Sequence, residues 1–308
     1  MSNSHSHSQV PAAPEGVARI LSLPSEEFSD HWDSLILPEG MKERLVNHAL
    51  FSLLHRSELR ATRTALQGLV LFSGPPGTGK TTAGRGLANV VAEQLVDRGT
   101  TGYIEIDPHS LPSELLGESQ RKTARLLDRS LPELAGANTF TVVLVDEVEA
   151  FATSRSRASF ETNPVDVHRA TDAVLTGLDT LAASHPHLLI IATTNVPEAV
   201  DEALVSRADL VLGFEPPSAE HATAIVRDTL LELARTWPSL APLAEDADGL
   251  ETIGKRCAGM DGRRIRKVVI AALTANAGTS LDPSRLRLED VLASAEATAL
   301  PHAASSTW

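Results

Sequence analysis

The stretch LVLFSGPPGTGKTT, residues 69–82, decides the fold of this chain. An apolar run leads into a loop rich in glycine and proline, and a segment compatible with a helix follows. The loop matches the pattern G-x-x-x-x-G-K-[ST], in which backbone N–H groups cradle phosphates between a strand and a helix. The order of the three pieces predicts a phosphate-binding loop in an α/β domain.

Each residue type in this loop has a chemical role. The glycines let backbone N–H groups approach the phosphates, and the helix N-terminus adds positive potential. Lys80 is predicted to reach the β and γ phosphates, and the Thr81 hydroxyl to ligate Mg²⁺. A glycine-rich turn without a ligand is the alternative, and the complete motif argues against it. The predicted nucleotide-binding residues are Gly74, Pro75, Pro76, Gly77, Thr78, Gly79, Lys80, Thr81 and Thr82.

Two further apolar runs end in polar residues. TVVLVDE ends in Asp146 and Glu147, and LLIIATTN ends in Asn195. We predict that Asp146 holds the Mg²⁺ shell and that Glu147 accepts a hydrogen bond from the attacking water and orients it. Asn195 would contact the γ phosphate or that water, although asparagine is also an ordinary turn residue. Glu149 is predicted to be a solvated acid or to start a helix.

Two arginines complete the candidate site. Arg207, in VSRADL, precedes the last predicted strand, and Arg263, in MDGRRIRK, lies at the start of a predicted helix. Guanidinium groups stabilise the charge that develops on a transferred phosphoryl group, and such an arginine can come from a neighbouring subunit. A surface arginine is the simpler interpretation of each alone, but their order after the phosphate-binding pieces favours catalytic roles.

Short β-rich runs alternate with helical stretches before residue 215. Such runs predict a parallel sheet covered by helices on both faces. After Glu215 the strand pattern stops, and apolar residues recur at helical spacing. We therefore predict a disordered tail over 1–30, an α/β ATPase domain over 31–215 and a small all-helical lid domain over 216–308. The five predicted strands are Gly68–Ser73, Gly102–Asp107, Thr141–Asp146, Leu188–Thr193 and Asp209–Phe214.

The composition argues against several classes of partner. The chain has 27 Lys and Arg against 40 Asp and Glu, and its net charge of −13 disfavours nucleic acid. The longest apolar runs, Thr141–Val145 and Leu188–Ala192, are too short to span a bilayer, which predicts a cytoplasmic protein without a membrane partner. The single cysteine, Cys257, excludes an intrachain disulfide.

These motifs, taken in order, resemble the AAA+ ATPases. The resemblance rests on GPPGTGKT, VLVDE, ATTN, a lone arginine before the fifth strand and a Gly-Arg pair in a helical lid. It implies ATP and Mg²⁺ as cofactors, ATP hydrolysis as the activity, and a homohexameric ring, because one subunit lends its arginine to the next. By this resemblance the Walker roles fall on Lys80, Thr81, Asp146 and Glu147, sensor 1 on Asn195, the finger acting in trans on Arg207 and sensor 2 acting in cis on Arg263.

Several loop phrases are similar to the pachytene-checkpoint subfamily, which remodels HORMA-domain proteins. The likeness implies an ATP-driven remodeller that partially unfolds a HORMA domain and opens it. Only a short segment precedes the ATPase core, as in the compact bacterial version found with cyclic-nucleotide anti-phage systems. That version implies a HORMA-domain substrate with a bound nucleotidyltransferase, whose disassembly restrains signalling. The phrases are WDSL (32–35), IEIDPHSL (104–111), VDEVEAFATSRSRA (145–158), PVDVHRATDAVLTGLD (164–179) and SRADLVLGFEPPSAE (206–220).

The candidate pore loop, SELLGES, departs from this subfamily. Leu115 and Leu116, next to Gly117, replace the aromatic residues expected to grip a polypeptide. A second loop, around residues 155–169, is an alternative pore-facing segment. Two other functions stay open: a helicase-loader or clamp-loader-like ATPase acting on DNA, and a binding module in which nucleotide only controls ring assembly.

Overall fold

The computed structural model describes residues 14–59, 66–111, 118–153 and 164–299. A short 3-10 turn at Pro108–Ser110 follows the strand Thr101–Ile106. A π-helical turn at Leu126–Ser130 joins the helices Glu118–Arg125 and Leu131–Ala135. Strands β1 to β6 are Val17–Leu23, Leu69–Ser73, Thr101–Ile106, Phe140–Val145, Leu188–Thr194 and Leu210–Gly213. Helices α1 to α13 are Ser29–Asp33, Met41–Leu59, Lys80–Leu95, Glu118–Arg125, Leu131–Ala135, Ala150–Thr153, Pro164–Ser184, Glu202–Arg207, Ala219–Ala234, Ala247–Cys257, Gly262–Thr274, Ala277–Leu281 and Leu288–Ala299. Among the helices of these described ranges, none is long and apolar enough to cross a membrane.

The sheet has the strand order β1-β3-β4-β5-β2-β6. Strands β2 to β6 are parallel and correspond to the five predicted strands. In the middle of β2, Leu71 lies opposite Ala192 of β5 on one side and Val211 of β6 on the other. Because β4, β5 and β2 are adjacent, the residues that follow their carboxyl ends meet at one edge of the sheet.

The first strand corrects two predictions. Residues 1–30 are predicted to be disordered, but Val17–Leu23 form β1 and pair antiparallel with β3. The sheet therefore has six strands instead of five and is mixed instead of wholly parallel. The physical reason is that β1 covers the backbone groups of β3 that would otherwise form an open edge. Residues 1–13 of the predicted tail lie outside the described part of the chain.

Helices cover both faces of the sheet. Successive side chains of a strand point to opposite faces, so Phe72 enters one core and Leu71 the other. The first core is shared with α2 and α3, and includes Leu87 at 0% exposure. The second is shared with α5 and α7, and includes Leu181. Burial on both faces explains why the strands read as continuous apolar runs.

A third core is formed by buried residues of the segment that follows the sheet, most of them on helices. Leu230 of α9, Leu250 of α10 and Val269 of α11 are fully buried in it. In the described residues after Gly213 there is no strand. The predicted class, an α/β domain followed by a small helical lid, is therefore confirmed, and we propose that the boundary lies near Glu215.

Arg56 is among the largest fully buried side chains of the described residues. Its Nη1 donates to the carbonyl of Gln67 at 2.7 Å. Its Nη2 donates to the carbonyls of His185 and Leu188 at 2.7 and 2.6 Å. One guanidinium on α2 thus satisfies the backbone that leads into both β2 and β5.

Replacing Arg56 by methionine is expected to lower the free energy of unfolding by about 3 kcal/mol or more, because buried carbonyls lose their donors. Chemical denaturation measures this loss. Arg44→Met, at an exposed position of the same helix, is the matched control and should lose well under about 1 kcal/mol. Equal losses in the two variants would contradict the role of Arg56.

Candidate nucleotide-binding site

A cleft of about 1190 Å³ lies at the carboxyl edge of the sheet, between the sheet and the helical lid. The phosphate-binding loop, residues 76–82, forms its floor. Residues 34–38, between α1 and α2, line one side, and α9 and α11 of the lid line the other. The crevice outside the carboxyl ends of parallel strands is where ligands bind in open α/β sheets. The cleft is therefore the candidate nucleotide site.

Two glycines give the loop its shape. Gly79 has φ of 98° and directly precedes α3, so that the N-terminus of this helix opens into the loop. Gly77 has φ of 79°, and a Cβ atom there would collide with the carboxylate of Asp261, which caps α11 of the lid. A side chain at either position would be strained, because left-handed backbone favours glycine. Left-handed glycines just before a helix N-terminus are typical of loops whose backbone N–H groups bind phosphate.

Lys80 lies at the first position of α3 and is 5% exposed. Its Nζ donates to the carbonyls of Gly74 and Pro75, each at 2.7 Å. Burial holds the pKa of Lys80 below its ordinary value, against the opposing effect of nearby carboxylates, of which Glu149 has the largest. A buried ammonium that faces the cleft is the group that phosphate oxygens would best complement.

Thr81 and Asp146, predicted as the metal-binding pair, lie in contact. The Thr81 hydroxyl donates to Oδ1 of Asp146 at 2.8 Å. Among the described residues there is no group of three or more His, Cys, Asp or Glu that could hold a metal. One carboxylate and one hydroxyl fit Mg²⁺, which is usually held by one or two carboxylates together with waters and the oxygens of a bound phosphate. The donor set present therefore suits Mg²⁺ bound with a nucleotide.

Glu147, predicted to orient the attacking water, lies in contact with Asn195, predicted to reach the γ phosphate or that water. Asn195 donates from Nδ2 to Oε1 of Glu147 at 2.7 Å, and Nε2 of His109 lies 2.7 Å from Oε2. The backbone of Glu147 has φ of 57°, which is uncommon for a residue other than glycine. Strained backbone of this kind clusters at functional sites. Both oxygens of the predicted base are thus oriented by neighbouring side chains.

Sequence reasoning missed three groups around these residues. Thr193 donates from Oγ1 to Oδ1 of Asp146 at 2.6 Å and accepts from the backbone N–H of Glu147 at 3.0 Å. Glu149, predicted to be a solvated acid or to start a helix, directly precedes α6 and also accepts from the backbone N–H of Asn195 at 2.9 Å. His109 is the third. Of these three residues, only Thr193 could have been found from the sequence. It lies two residues before Asn195, and residues two apart along a strand point to the same face of the sheet.

The two predicted arginines lie in different places. Arg263, the second residue of α11, is exposed and lines the cleft. Arg207, the last residue of α8, is not among the described residues that line the cleft. It forms a bidentate ion pair with Asp179, which raises the pKa of the guanidinium. The structure thus brings Arg263, but not Arg207, to the cleft of its own chain.

The predicted pore-loop residues Leu115, Leu116 and Gly117 lie outside the described part of the chain. The same is true of residues 154–163 in the alternative pore-facing loop. Residues 164–169 of that loop form the start of α7.

Thr193→Val is expected to lower kcat about tenfold to a hundredfold and to raise the Mg²⁺ concentration needed for half-maximal activity, because Asp146 loses the donor that orients it. Steady-state ATPase assays over a Mg²⁺ titration measure both effects. Thr193→Ser keeps the hydroxyl and should restore activity. Thr141→Val, at a buried threonine in the second position of β4, near the opposite edge of the sheet, is the matched control. A wild-type Mg²⁺ requirement in Thr193→Val would contradict this role.

Comparison with known sequences gives one family and a set of close relatives. Residues 70–216 match the family described as "ATPase family associated with various cellular activities (AAA)". CD-NTase-associated protein 6 from Pseudomonas aeruginosa is 43% identical over 276 residues, which cover 90% of this chain and 90% of the relative. A pachytene checkpoint protein 2 homolog from Danio rerio is 33% identical, covering 83% of this chain and 65% of the relative. The chain thus spans about two thirds of that longer relative.

Comparison with solved structures gives the same fold. PCH-2 from C. elegans superposes with a TM-score of 0.73 at 25% identity, covering 94% of this chain and 76% of the other. A chain of the HORMA:CdnC:Trip13 complex from E. coli MS115-1 gives a TM-score of 0.71 at 17% identity, covering 91% and 95%. At that identity the second likeness supports the fold alone.

Proposed function

This chain belongs to the AAA ATPases, in the group that contains CD-NTase-associated protein 6 and the pachytene checkpoint protein 2 homologs, and from that premise we propose that it is an ATP-driven protein remodeller. Its substrate is a HORMA-domain protein, alone or with a bound nucleotidyltransferase. Opening the HORMA domain releases that enzyme and restrains anti-phage cyclic-nucleotide signalling. The observation that carries the proposal is the 43% identity to CD-NTase-associated protein 6 across nine tenths of both chains.

The geometry of the cleft supports ATP hydrolysis. Bound ATP with Mg²⁺ supplies the phosphoryl group whose transfer to water releases the free energy for remodelling. Lys80, which lines the cleft, would bind the phosphates, and Thr81 and Asp146, which contact each other, would hold the metal ion. Glu147 orients the attacking water and accepts its proton, and Asn195 fixes the carboxylate of Glu147. Arg263 contributes charge from the lid of the same chain.

The site is incomplete without a second copy of the chain. Arg207 lies outside the cleft of its own chain, so its role as a finger requires a neighbour whose nucleotide it can reach. We therefore propose a homohexameric ring that acts in the cytoplasm, where ATP is available. In this proposal Leu115, Leu116 and Gly117 grip the substrate in the pore.

The experiment that tests the function is capture of the substrate by a trapped ring. Glu147→Gln protein loaded with ATP is incubated with extract of the native cells, and bound proteins are identified by mass spectrometry. The matched control is the double variant Lys80→Met with Glu147→Gln, which should not retain ATP. The proposal expects a HORMA-domain protein that is enriched only on the ATP-loaded ring.

Two other results would favour different functions for this chain. Stimulation of ATPase activity by DNA, with no HORMA-domain protein retained, would favour a helicase-loader or clamp-loader-like function. Negligible hydrolysis by the wild type at high protein concentration would favour a module in which nucleotide only controls assembly.

A further inference from the structure

The side chain of Arg207 is held at three points by its own chain. Its Nε donates to Oδ1 of Asp179 at 2.8 Å, and its Nη2 donates to Oδ2 at 2.9 Å. Its Nη1 donates to the carbonyl of Ala203, one turn earlier in α8, at 2.9 Å. The guanidinium is therefore fixed in both position and plane, although 29% of its side-chain surface is exposed.

The Arg207 guanidinium keeps donors for a further ligand. A guanidinium carries five N–H groups, and the three contacts above use one on Nε, one on Nη1 and one on Nη2. One N–H on Nη1 and one on Nη2 are left. Two N–H groups on the terminal nitrogens of arginine match two oxygens of one phosphate. The ion pair thus leaves Arg207 able to bind phosphate and restricts the directions in which it can do so.

A surface ion pair without a functional role is the simpler explanation of Asp179, because partly exposed pairs contribute little to stability. Two features point beyond it. Asp179 lies on α7, a helix of 21 residues, and Arg207, 28 positions later in the chain, is the last residue of α8. Both partners are therefore mounted on helices, which hold a side chain more accurately than loops do. An arginine ordered before it meets its ligand also loses less conformational entropy on binding.

We propose that Asp179 is a positioning residue, which holds Arg207 in the orientation that contacts the phosphates of a nucleotide bound by a second copy of this chain. This inference rests on the proposed function. Asp179 itself touches neither nucleotide nor the reacting atoms. Its effect is exerted on the site of the neighbouring subunit and not on the cleft of its own chain.

The first test compares two acids near Arg207. Asp179→Asn is expected to lower kcat for ATP hydrolysis about tenfold to a hundredfold, with little change in KM for ATP, because a misplaced catalytic group costs rate. Asp201→Asn removes the same charge near Arg207 but no contact with it, and asparagine can keep the cap on Ala203. It should therefore retain the wild-type rate. The double variant Asp179→Asn with Arg207→Ala should be no slower than Arg207→Ala alone.

The second test mixes subunits and separates positioning in trans from damage in cis. Glu147→Gln chains have an inactive site but an intact Arg207 and Asp179, whereas Asp179→Asn chains have an intact site. In mixed rings, an Asp179→Asn site that receives Arg207 from a Glu147→Gln neighbour should recover activity. The rate per Asp179→Asn chain should thus rise as Glu147→Gln chains are added, and a merely structural role of Asp179 gives no such rise.

A wild-type rate in Asp179→Asn would overturn the inference and leave the proposed function intact. Impaired turnover that mixing does not restore would also overturn it, because the defect would then lie within one chain. Absence of ATP turnover in the wild-type protein would overturn the proposed function itself, and this inference with it.

Discussion

Glu147→Gln is expected to lower kcat for ATP hydrolysis by about 10²-fold to 10⁴-fold, the usual contribution of a positioned general base. Glutamine has the size of glutamate and keeps an oxygen that can accept from Nδ2 of Asn195. It has no carboxylate to take a proton from water. Because Lys80, Thr81 and Asp146 are unchanged, ATP binding should persist. Steady-state turnover and equilibrium ATP binding, measured on the same preparation, check both halves of this expectation.

The matched control for this variant is Glu133→Gln. Glu133 is an exposed acid on α5 that pairs with Arg129, so the substitution removes the same charge away from the cleft. It should turn over ATP at the wild-type rate. Turnover by Glu147→Gln within a few-fold of wild type would remove Glu147 from the role of base, and loss of ATP binding would assign it to binding.

Lys80→Met is expected to lower kcat/KM by about 10²-fold to 10³-fold, as removal of one preorganised donor does at other charge-stabilising sites. Methionine matches the length of lysine but cannot donate to phosphate. The ammonium of Lys80 is buried and its pKa is lowered by that burial, so removing it should not unfold the domain. Equilibrium ATP binding should weaken together with turnover, in contrast to Glu147→Gln.

Lys255→Met provides the control for Lys80→Met. Lys255 pairs with Glu251 on the surface of α10, where 66% of its side chain is exposed. It should bind and hydrolyse ATP as the wild type does. Thermal unfolding of both variants shows whether the fold is kept. Normal ATP binding by folded Lys80→Met would show that the loop does not bind phosphate through this residue.

The helical lid contacts the segment before α2 and the phosphate-binding loop directly. Arg266 of α11 donates to the carboxylate of Asp228 on α9 at 2.9 Å and to the carbonyl of Ser34 at 3.3 Å. Asp261, at the start of the same helix, lies against Gly77 of the phosphate-binding loop. The lid is thus in direct contact with both the floor and one side wall of the cleft.

The sequence by itself determined the class of fold, five of the six strands and the place of the glycine-rich loop between β2 and α3. These features are local: an apolar run of strand length, glycines at fixed spacing and a lysine followed by threonine carry their chemistry in a few consecutive residues. Thr81 and Asp146, which the sequence predicts to hold the same metal ion, lie in contact. Both lie beyond the carboxyl ends of parallel strands, β2 and β4, which share one edge of the sheet.

Tertiary structure alone decided the rest, because those contacts join residues that no local pattern relates. Strand β1 follows a tail rich in Ser, Pro and Ala, and only the open edge of β3 gives it a partner. No local pattern relates Thr193 to Asp146, and only the folded chain brings Oγ1 of Thr193 to 2.6 Å from Oδ1 of Asp146. No local pattern singles out Asp179, and only the fold brings its carboxylate into a bidentate pair with Arg207, 28 residues later. Local chemistry therefore fixed which groups the site contains, and packing fixed which side chains hold them in place.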